Sequence, residues 1–322
     1  MLYTAMQNSK PYYTEITILK GIAILFVIMG HSLTPILNLN TEISPILRFI
    51  VMEPQMAMFF TASGFLFSEA IDWKTFFSKK IKRLVIPYAS FWCIMQFTHS
   101  VLAGLTRSGV YDIGNEVIAL LTGGHYWFLY ILLLIMITAR LFKEFKGGLI
   151  LLATVTVICR LSISDMPTNM WRYFLYTPFF VAGIYVRRNY PVIKSFVSKY
   201  SFPIIIISLI GFALCYMYEQ REMFFGRITG SILFMVICMT ASNKFTGMGV
   251  LSHFGKYSMQ YYLNHIQTAT VTITIISRLH LNFTYSHYIE WLLIFVLMTL
   301  FSYVALLIEK RVKVLRIITG LK

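Results

Sequence analysis

Long apolar runs alternate with short polar connections along the whole chain. Ten of these runs, at residues 16–35, 46–68, 84–104, 125–142, 147–163, 172–186, 201–218, 224–241, 257–278 and 287–308, approach the length that crosses a bilayer core as a helix. We therefore expect an all-α polytopic integral membrane protein of about ten transmembrane helices. The runs follow one another closely, so residues 1–322 are expected to form a single membrane-embedded domain.

The fifth and sixth runs fit this pattern least well. The fifth contains Arg160 near its end, and the sixth is short and includes Pro178. A proline inside a helix removes a hydrogen bond and bends the axis, and membranes tolerate this where neighbouring helices cover the break. We expect the sixth helix to be kinked or partly buried in protein.

The composition agrees with many spans. Of the 322 residues, 57% are hydrophobic and 13% are charged, and the mean hydropathy is +0.70. These values exclude a soluble domain carrying a single anchor and leave no room for a sizeable soluble domain. Residues 1–15 are polar and aromatic and the first apolar run is too long for a signal-peptide core, so we expect no cleaved signal peptide.

The placement of positive charge predicts the orientation. If the amino terminus is inside, every lysine lies on the inner side or its boundary, as the positive-inside rule requires. Both termini are then cytoplasmic, and we expect a multi-pass protein of the plasma (inner) membrane. The net charge of +15 reflects this topology and contact with anionic membrane lipid, so no nucleic-acid partner is expected.

All the basic residues in the predicted outer segments are arginines. Two interpretations stay open for these side chains. They anchor the helices at the interface or pair with outer carboxylates, or some of them line a pocket for an anionic or sugar acceptor, because guanidinium offers a planar set of donors. The residues are Arg48, Arg107, Arg160, Arg172, Arg221, Arg227 and Arg278.

Cysteine usage and short motifs exclude several classes of site. The four cysteines, Cys93, Cys159, Cys215 and Cys238, lie in different predicted spans and suit small apolar positions rather than a disulfide framework. The chain has no HExxH, GxSxG, GxGxxG or P-loop motif. We expect no metal site and no bound cofactor.

The first apolar run contains two ionisable side chains, Lys20 and His31, which cost free energy to place inside a membrane. They are eleven residues apart, so on a helix they lie within roughly 20° of one face and about 16 Å apart along the axis. An ionisable residue inside a span favours a functional role, although a helix-end histidine bonded to a carbonyl is an equal alternative. As a catalyst, His31 would be a general base or a transient acyl carrier.

A second group of cations precedes the third run, in the sequence SKKIKRLVIPY. Lys80 and Arg83 are three residues apart and therefore neighbours on a helix face, where the chain enters the membrane. They could hold a phosphorylated cytoplasmic ligand, or they could simply contribute positive-inside charge.

Five further residues are candidates for a substrate pocket: Glu53, Ser63, Trp127, Asn264 and His265. Glu53 is an acid beside Pro54 at the outer end of the second span. Ser63 precedes a glycine in an aromatic run, where small residues favour close helix packing. Trp127 fits an interfacial aromatic belt, and Asn264 and His265 are adjacent polar residues at membrane depth.

Six segments in order along nearly the whole chain resemble membrane acyltransferase family 3, the acyl-CoA-dependent O-acyltransferases that modify bacterial glycans and include stand-alone sugar O-acetylases. They are LKGIAILFVIMGHS, MFFTASGFLF, KKIKRLVIPY, HYWFLYIL, PFFVAGIYVRR and GKYSMQYYLNH. The resemblance implies that His31 is catalytic. It also implies that Lys80 and Arg83, with Lys20, bind the acyl-CoA donor from the cytoplasm.

The resemblance implies a membrane O-acetyltransferase that takes acetyl from acetyl-CoA to a sugar hydroxyl of a surface glycan or a lipid-linked saccharide precursor. The chain departs from the family where relatives often have His-Met-Pro and it has Gln55-Met56-Ala57. The alternative is a transporter or flippase for a glycan or lipid-linked sugar, with the buried polar residues lining a path. The acceptor, the acyl group and a homo-oligomeric state stay open.

Overall fold

The structure is a computed structural model that describes residues 13–33, 43–102, 113–163, 165–166, 169–218, 224–242, 249–278 and 287–321. Within these ranges the chain is helical and forms no β-strand. The all-α prediction is therefore confirmed for the part of the chain that the structure describes. Residues 34–35 and 103–104, the predicted ends of the first and third spans, lie outside the described residues.

Each predicted span coincides with a helix in its described part. The helices are α1 Thr14–Ser32, α2 Ile43–Phe65, α3 Trp73–Lys80, α4 Ile86–Leu102, α5 Ile113–Thr122, α6 Trp127–Phe142, α7 Gly148–Ser162, α8 Met170–Arg188, α9 Tyr190–Met217, α10 Phe224–Ala241, α11 Gly249–Lys256, α12 Ser258–Arg278, α13 His287–Arg311 and α14 Lys313–Ile318. A π-helical turn, Ile81–Val85, joins α3 to α4, and a 3₁₀ turn, Gly124–Tyr126, precedes α6.

Five helical segments of the described chain are long and apolar enough to cross a membrane. They are Thr14–Ser32, Val117–Phe142, Tyr190–Met217, Phe224–Ala241 and Tyr288–Arg311. Large apolar side chains such as Phe202, Ile207 and Phe225 are exposed on these helices, as expected where lipid replaces water. The protein is therefore a membrane protein, while the count of ten spans and the orientation stay predictions.

Helix α1 lies at the centre of the bundle. It packs against α2, α10, α11, α12 and α13, and most of its apolar side chains are buried. This placement explains why α1 tolerates polar residues: its neighbours, rather than lipid, surround much of it. Any group on α1 is therefore positioned by five other helices.

Glycines allow the closest helix crossings. A Cβ on Gly64 of α2 would collide with the backbone carbonyl of Phe180 in α8, and a Cβ on Gly183 would collide with that of Thr61. Gly21 of α1 and Gly255 of α11 form a second such crossing. Small residues let helix backbones approach in membranes, where dispersion contacts stabilise association. The close packing predicted for the Ser63-Gly64 pair is thus observed.

Two prolines lie within long helices, with different results. Pro178 lies inside α8, which continues from Met170 to Arg188 and buries Phe179 and Phe180 against its neighbours. In α9, Tyr200 has non-helical angles, φ −115° and ψ 20°, three residues before Pro203. A proline disturbs the turn that precedes it, so α9 bends where the predicted seventh span begins.

Candidate active site

His31 lies one residue before the end of α1 and contacts a second histidine. Its ring centroid is 4.7 Å from that of His265 on α12, with 60° between the ring planes. His31 is exposed, whereas His265 is only 1% exposed. The structure therefore brings together two residues that the sequence assigned to separate motifs, and it leaves one of the two rings accessible.

The backbone of α12 holds the His265 ring. Its Nδ1 lies within hydrogen-bond distance of the Tyr262 carbonyl, and the Tyr262 ring is 5.1 Å from the imidazole. A carbonyl oxygen only accepts, so Nδ1 carries the proton and donates it, which leaves the Nε2 lone pair free in the neutral ring. His265 is thus fixed in one tautomer and one orientation against His31.

A turn before α6 adds a third imidazole. Gly123 and Gly124 have φ values of 101° and 38°, which side chains rarely adopt, and they place His125 in the following 3₁₀ turn. His125 interacts electrostatically with both His31 and His265. Sequence analysis did not connect this residue, the first of the fourth apolar run, with the other two.

Tyr126 secures that turn to α12. Its hydroxyl donates to the Leu263 carbonyl at 3.2 Å, and it accepts from the Gln267 Nε2 at 2.5 Å. Within the described residues, no group of three or more His, Cys, Asp or Glu is arranged to hold a metal ion.

An aromatic stack capped by a cation lies beside this region. Tyr176 of α8 stacks on Phe60 with 4.7 Å between centroids and on Trp127 with 5.7 Å. The Arg172 guanidinium lies 4.3 Å from the centroid of the Trp127 ring, and its Nη1 donates to the Asn169 side chain. The candidate Trp127 thus belongs to a built cluster rather than to an isolated interfacial position.

The candidate Glu53 forms an ion pair in the same region. Its Oε2 is 3.2 Å from the Nε of Arg227 on α10, and both side chains are largely buried. Tyr176 interacts electrostatically with Glu53, Arg227 and Arg172, which connects the ion pair with the aromatic stack. We name Glu53, Trp127, Arg172, Tyr176 and Arg227 the polar–aromatic cluster.

Both interpretations of the outer arginines find support among the described residues. Arg227 pairs with a carboxylate, as the first one expects, although its partner is Glu53 of α2. Arg172 lies on an aromatic face and bonds an amide, so its charge is not neutralised by these contacts. Arg107 and Arg221 lie outside the described residues.

Gly30 lets α2 approach α1 directly beside His31. A Cβ at this position would lie 3.3 Å from the Met52 side chain and 3.7 Å from the Gln55 Oε1. That buried Gln55 oxygen has no hydrogen-bond partner among the described residues. Ser32, on the other side of His31, donates to the Met29 carbonyl at 2.7 Å, so its hydroxyl is used within the helix.

The cations predicted to bind a donor also converge. Lys20 of α1 and Lys80 of α3 both interact electrostatically with Arg83, which lies in the π-helical turn and is exposed. Such turns are frequent at functional sites because they break the regular helix pattern. Burial and the nearby charges of Arg83 and Lys79 lower the pKa of Lys80, which precedes the predicted third span, to about 8.

Two of the candidate substrate-pocket residues, Asn264 and Ser63, lie outside the polar–aromatic cluster. The Asn264 amide donates to the Glu309 Oε1 of α13 at 2.7 Å and to the Gln260 carbonyl at 3.0 Å, so it connects two helices. Sequence analysis missed Glu309, whose signal was an acid near the end of the last apolar run. Ser63 is half-buried beside the Gly64 crossing, and no hydrogen bond joins it to the histidines in the described chain.

Two comparisons with known proteins give a match. The Acyl_transf_3 family model, described as an acyltransferase domain, matches residues 13–307. The chain is 32% identical over 177 residues to the nodulation protein NolL of Sinorhizobium fredii (strain NBRC 101917 / NGR234), an alignment that covers 51% of this chain and 46% of that protein. It thus spans about half the length of that relative. No solved structure matches.

Proposed function

The chain belongs to the Acyl_transf_3 family and is an acyltransferase, and we propose that it is a membrane O-acetyltransferase that moves acetyl from cytoplasmic acetyl-CoA to a sugar hydroxyl. The acceptor would be a surface glycan or its lipid-linked precursor. The protein would lie in the plasma (inner) membrane with its amino terminus in the cytoplasm. Acetyl-CoA is a substrate in this proposal, and no resident cofactor is needed.

The observation that carries the proposal is the arrangement along α1. Lys20, near one end of this helix, interacts with Arg83, which also interacts with Lys80, and His31 contacts His265 at the other end. The axial distance between Lys20 and His31, about 16 Å, is one that an extended thioester arm can span. Donor phosphates held by the cations would therefore leave the acyl carbon within reach of the imidazole.

His31 could act in either of two ways, and in both the bonds and protons of the reaction are accounted for. As a general base, it takes the acceptor hydroxyl proton while the oxygen attacks the thioester carbonyl; the new C–O bond forms, the C–S bond breaks, and the proton passes to the CoA sulfur. As a carrier, its nitrogen attacks the thioester carbonyl, the C–S bond breaks, and the CoA sulfur takes the imidazole proton. The sugar hydroxyl then attacks the acyl-imidazole, the C–N bond breaks, and the hydroxyl proton returns to the ring. In both, holding two substrates at one ring converts a bimolecular reaction into a local one.

The polar–aromatic cluster is the proposed acceptor site. Aromatic rings beside charged and hydrogen-bonding groups suit a saccharide, since sugars offer both apolar C–H groups and hydroxyls. Glu53 and Arg227 would accept from and donate to those hydroxyls. Trp127 precedes Phe128, whose ring is 5.2 Å from that of Tyr262, and Tyr262 contacts His265. The cluster is thus joined to the imidazole pair through two aromatic residues.

The test of this function separates the donor from the acceptor. Purified protein in lipid nanodiscs receives acetyl-CoA labelled in the acetyl group and the saccharide fraction of its own cells, and label in saccharide is measured. Lys80→Ala/Arg83→Ala is expected to raise the apparent KM for acetyl-CoA much more than that for the acceptor. Lys74→Ala/Lys146→Ala removes the same charge from exposed inner positions and serves as the matched control.

Two results would contradict the proposal. Equal effects of the Lys80→Ala/Arg83→Ala change on both KM values would assign these residues to topology alone. Movement of the saccharide across sealed vesicles without acetyl-CoA, with no label incorporated, would instead favour a transporter.

A further inference from the structure

Arg140, near the end of α6, is a buried cation that no motif of the chain explains. It is 4% exposed, and its Nε and Nη1 have no hydrogen-bond partner among the described residues. A buried guanidinium that leaves donors unpaired is costly, so its retention calls for a ligand or a compensating contact. The contacts that the structure provides are aromatic: its Cζ lies 4.7 Å from the Trp73 ring centroid and 5.3 Å from that of Phe76.

Those aromatic contacts place Arg140 next to the donor cations. The Lys80 Nζ lies 5.6 Å from the centroid of the same Phe76 ring. Helix α6 also packs against the π-helical turn that carries Arg83. Arg140, Lys80 and Arg83 therefore belong to one neighbourhood, which Lys20 enters through Arg83.

This neighbourhood has an excess of positive charge. In the described ranges, no carboxylate lies within ion-pair distance of these four cations. Glu69 is paired with Arg188, and Asp72 accepts from the Thr75 amide at the start of α3. The missing counter-charge would have to be an anion that can meet a guanidinium and two or more neighbouring cations, which describes a phosphate ester or diphosphate.

We propose that Arg140 binds a phosphate group of the acyl donor, as a fourth cation beside Lys20, Lys80 and Arg83. This proposal rests on the proposed function and extends its donor site by one residue. A lipid headgroup offers the same phosphate chemistry. The position favours the donor, because the Lys80 Nζ and the Arg140 guanidinium lie against the same Phe76 ring and α6 packs against the turn that carries Arg83.

Trp73 and Phe76, both on the short helix α3, lie against the guanidinium. The aromatic faces would stabilise the charge while the site is empty, and phosphate oxygens would pair the unsatisfied N–H groups once it is filled.

The experiment compares ligands with and without phosphate. Binding of CoA and of acetylpantetheine, which carries the thioester but no phosphate, is measured by calorimetry on the full chain in maltoside micelles. Arg140→Gln should raise the Kd for CoA about tenfold to a hundredfold, the loss expected for a charge-assisted hydrogen bond, and leave acetylpantetheine unchanged. Lys146→Gln, which removes one exposed charge beyond the same end of α6, should leave both unchanged.

Arg140→Lys keeps the charge without the planar fork and is expected to bind CoA with an intermediate Kd, so it carries the test if Arg140→Gln does not fold. An unchanged CoA Kd in both Arg140 variants would overturn this inference while leaving the donor assignment intact. Equal weakening for CoA and acetylpantetheine would also overturn it, because it would indicate a structural role.

Two more results would overturn the inference by different routes. If Arg140 served a lipid, its loss would leave CoA binding unchanged and abolish the stabilisation that phosphatidylglycerol gives over phosphatidylcholine in nanodiscs. If wild-type protein bound neither CoA nor inorganic pyrophosphate, the proposed donor itself would be wrong. These results thus distinguish an incorrect role for Arg140 from an incorrect proposed function.

Discussion

The ring of His265 packs against His31 with 4.7 Å between centroids, and its Nδ1 is engaged by the Tyr262 carbonyl. The exposed ring of His31 is therefore accessible to a substrate, and the buried ring of His265 is held in a fixed orientation next to it. Such a pair resembles a base and its orienting partner, in which the second group sets the position of the first.

His265 is accordingly expected to act as a positioning residue. His265→Ala should lower kcat about a hundredfold, the cost of roughly 1 Å of misplacement, with little change in either KM. His265→Phe should recover part of kcat, because it restores the ring contact without the N–H group. Steady-state rates over a range of both substrates measure these effects, and a wild-type kcat for His265→Ala would refute the assignment.

The neighbouring Asn264 provides the matched control. Its amide bonds Glu309, which is 4% exposed, so Asn264→Ala would leave that carboxyl without its partner. We expect a loss of about 1–3 kcal/mol in stability, measured as a lower unfolding temperature in micelles, with kcat near wild type. A kcat loss as large as that of His265→Ala would mean that α12 as a whole, rather than His265, is being disturbed.

The sequence predicted the helices of the apolar runs and the polar residues near the two ends of α1, because both have local signals. Apolar runs of membrane length identify helices directly, and a cation and an imidazole on one face follow from helical periodicity. The proximity of Lys20 to Arg83 and of His31 to His265 depends on which helices surround α1, and periodicity does not contain that information. The family resemblance grouped Lys20 with Lys80 and Arg83, but nothing in the sequence joined His31 with His265.

The elements that sequence analysis missed are short or polar. Helices α3, α11 and α14 have six to eight residues each, too few for a clear apolar period. Arg140 was overlooked because one arginine at the end of a span fits interfacial charge. His125 depends on the left-handed angles of Gly123 and Gly124, which a glycine pair permits but does not require.

Lys80 should give donor binding a characteristic pH dependence. Its pKa of about 8 means that the ammonium loses its proton as the pH rises from 7 to 9. Because phosphate binding needs the charged form, the apparent KM for acetyl-CoA should rise about tenfold over that interval. Lys80→Arg stays protonated throughout and should reduce this rise to the part contributed by the other donor-site lysine, Lys20. An identical rise in Lys80→Arg would assign the titration to another group.

The Gly64 crossing should tolerate no side chain. Gly64→Ala would place a methyl group against the Phe180 carbonyl, and overpacking of this kind costs about 1–3 kcal/mol. Thermal unfolding in micelles should show a lower midpoint for Gly64→Ala. Gly249→Ala is the control, because no atom lies within 4 Å of its added Cβ. Equal midpoints for Gly64→Ala and wild type would contradict the close crossing.

Variants of the ion pair between Glu53 and Arg227 should affect stability and substrate binding differently. Removing either partner leaves a buried charge alone, so Glu53→Ala and Arg227→Ala should each cost about 3–5 kcal/mol. The double variant should regain much of that stability, yet its KM for the acceptor should remain raised. Unfolding temperatures and acceptor titrations on all three proteins test this, and a normal acceptor KM in the double variant would exclude the pair from the acceptor site.

Transfer of labelled acetyl to the saccharide fraction by His31→Ala tests whether His31 carries out the acyl-transfer chemistry. We expect a rate lower by about a hundredfold to ten-thousandfold, with CoA binding unchanged. Ser32→Ala removes a hydroxyl that bonds the Met29 carbonyl and should stay near wild type. Transfer by His31→Ala at the wild-type rate would show that His31 is not the catalytic residue.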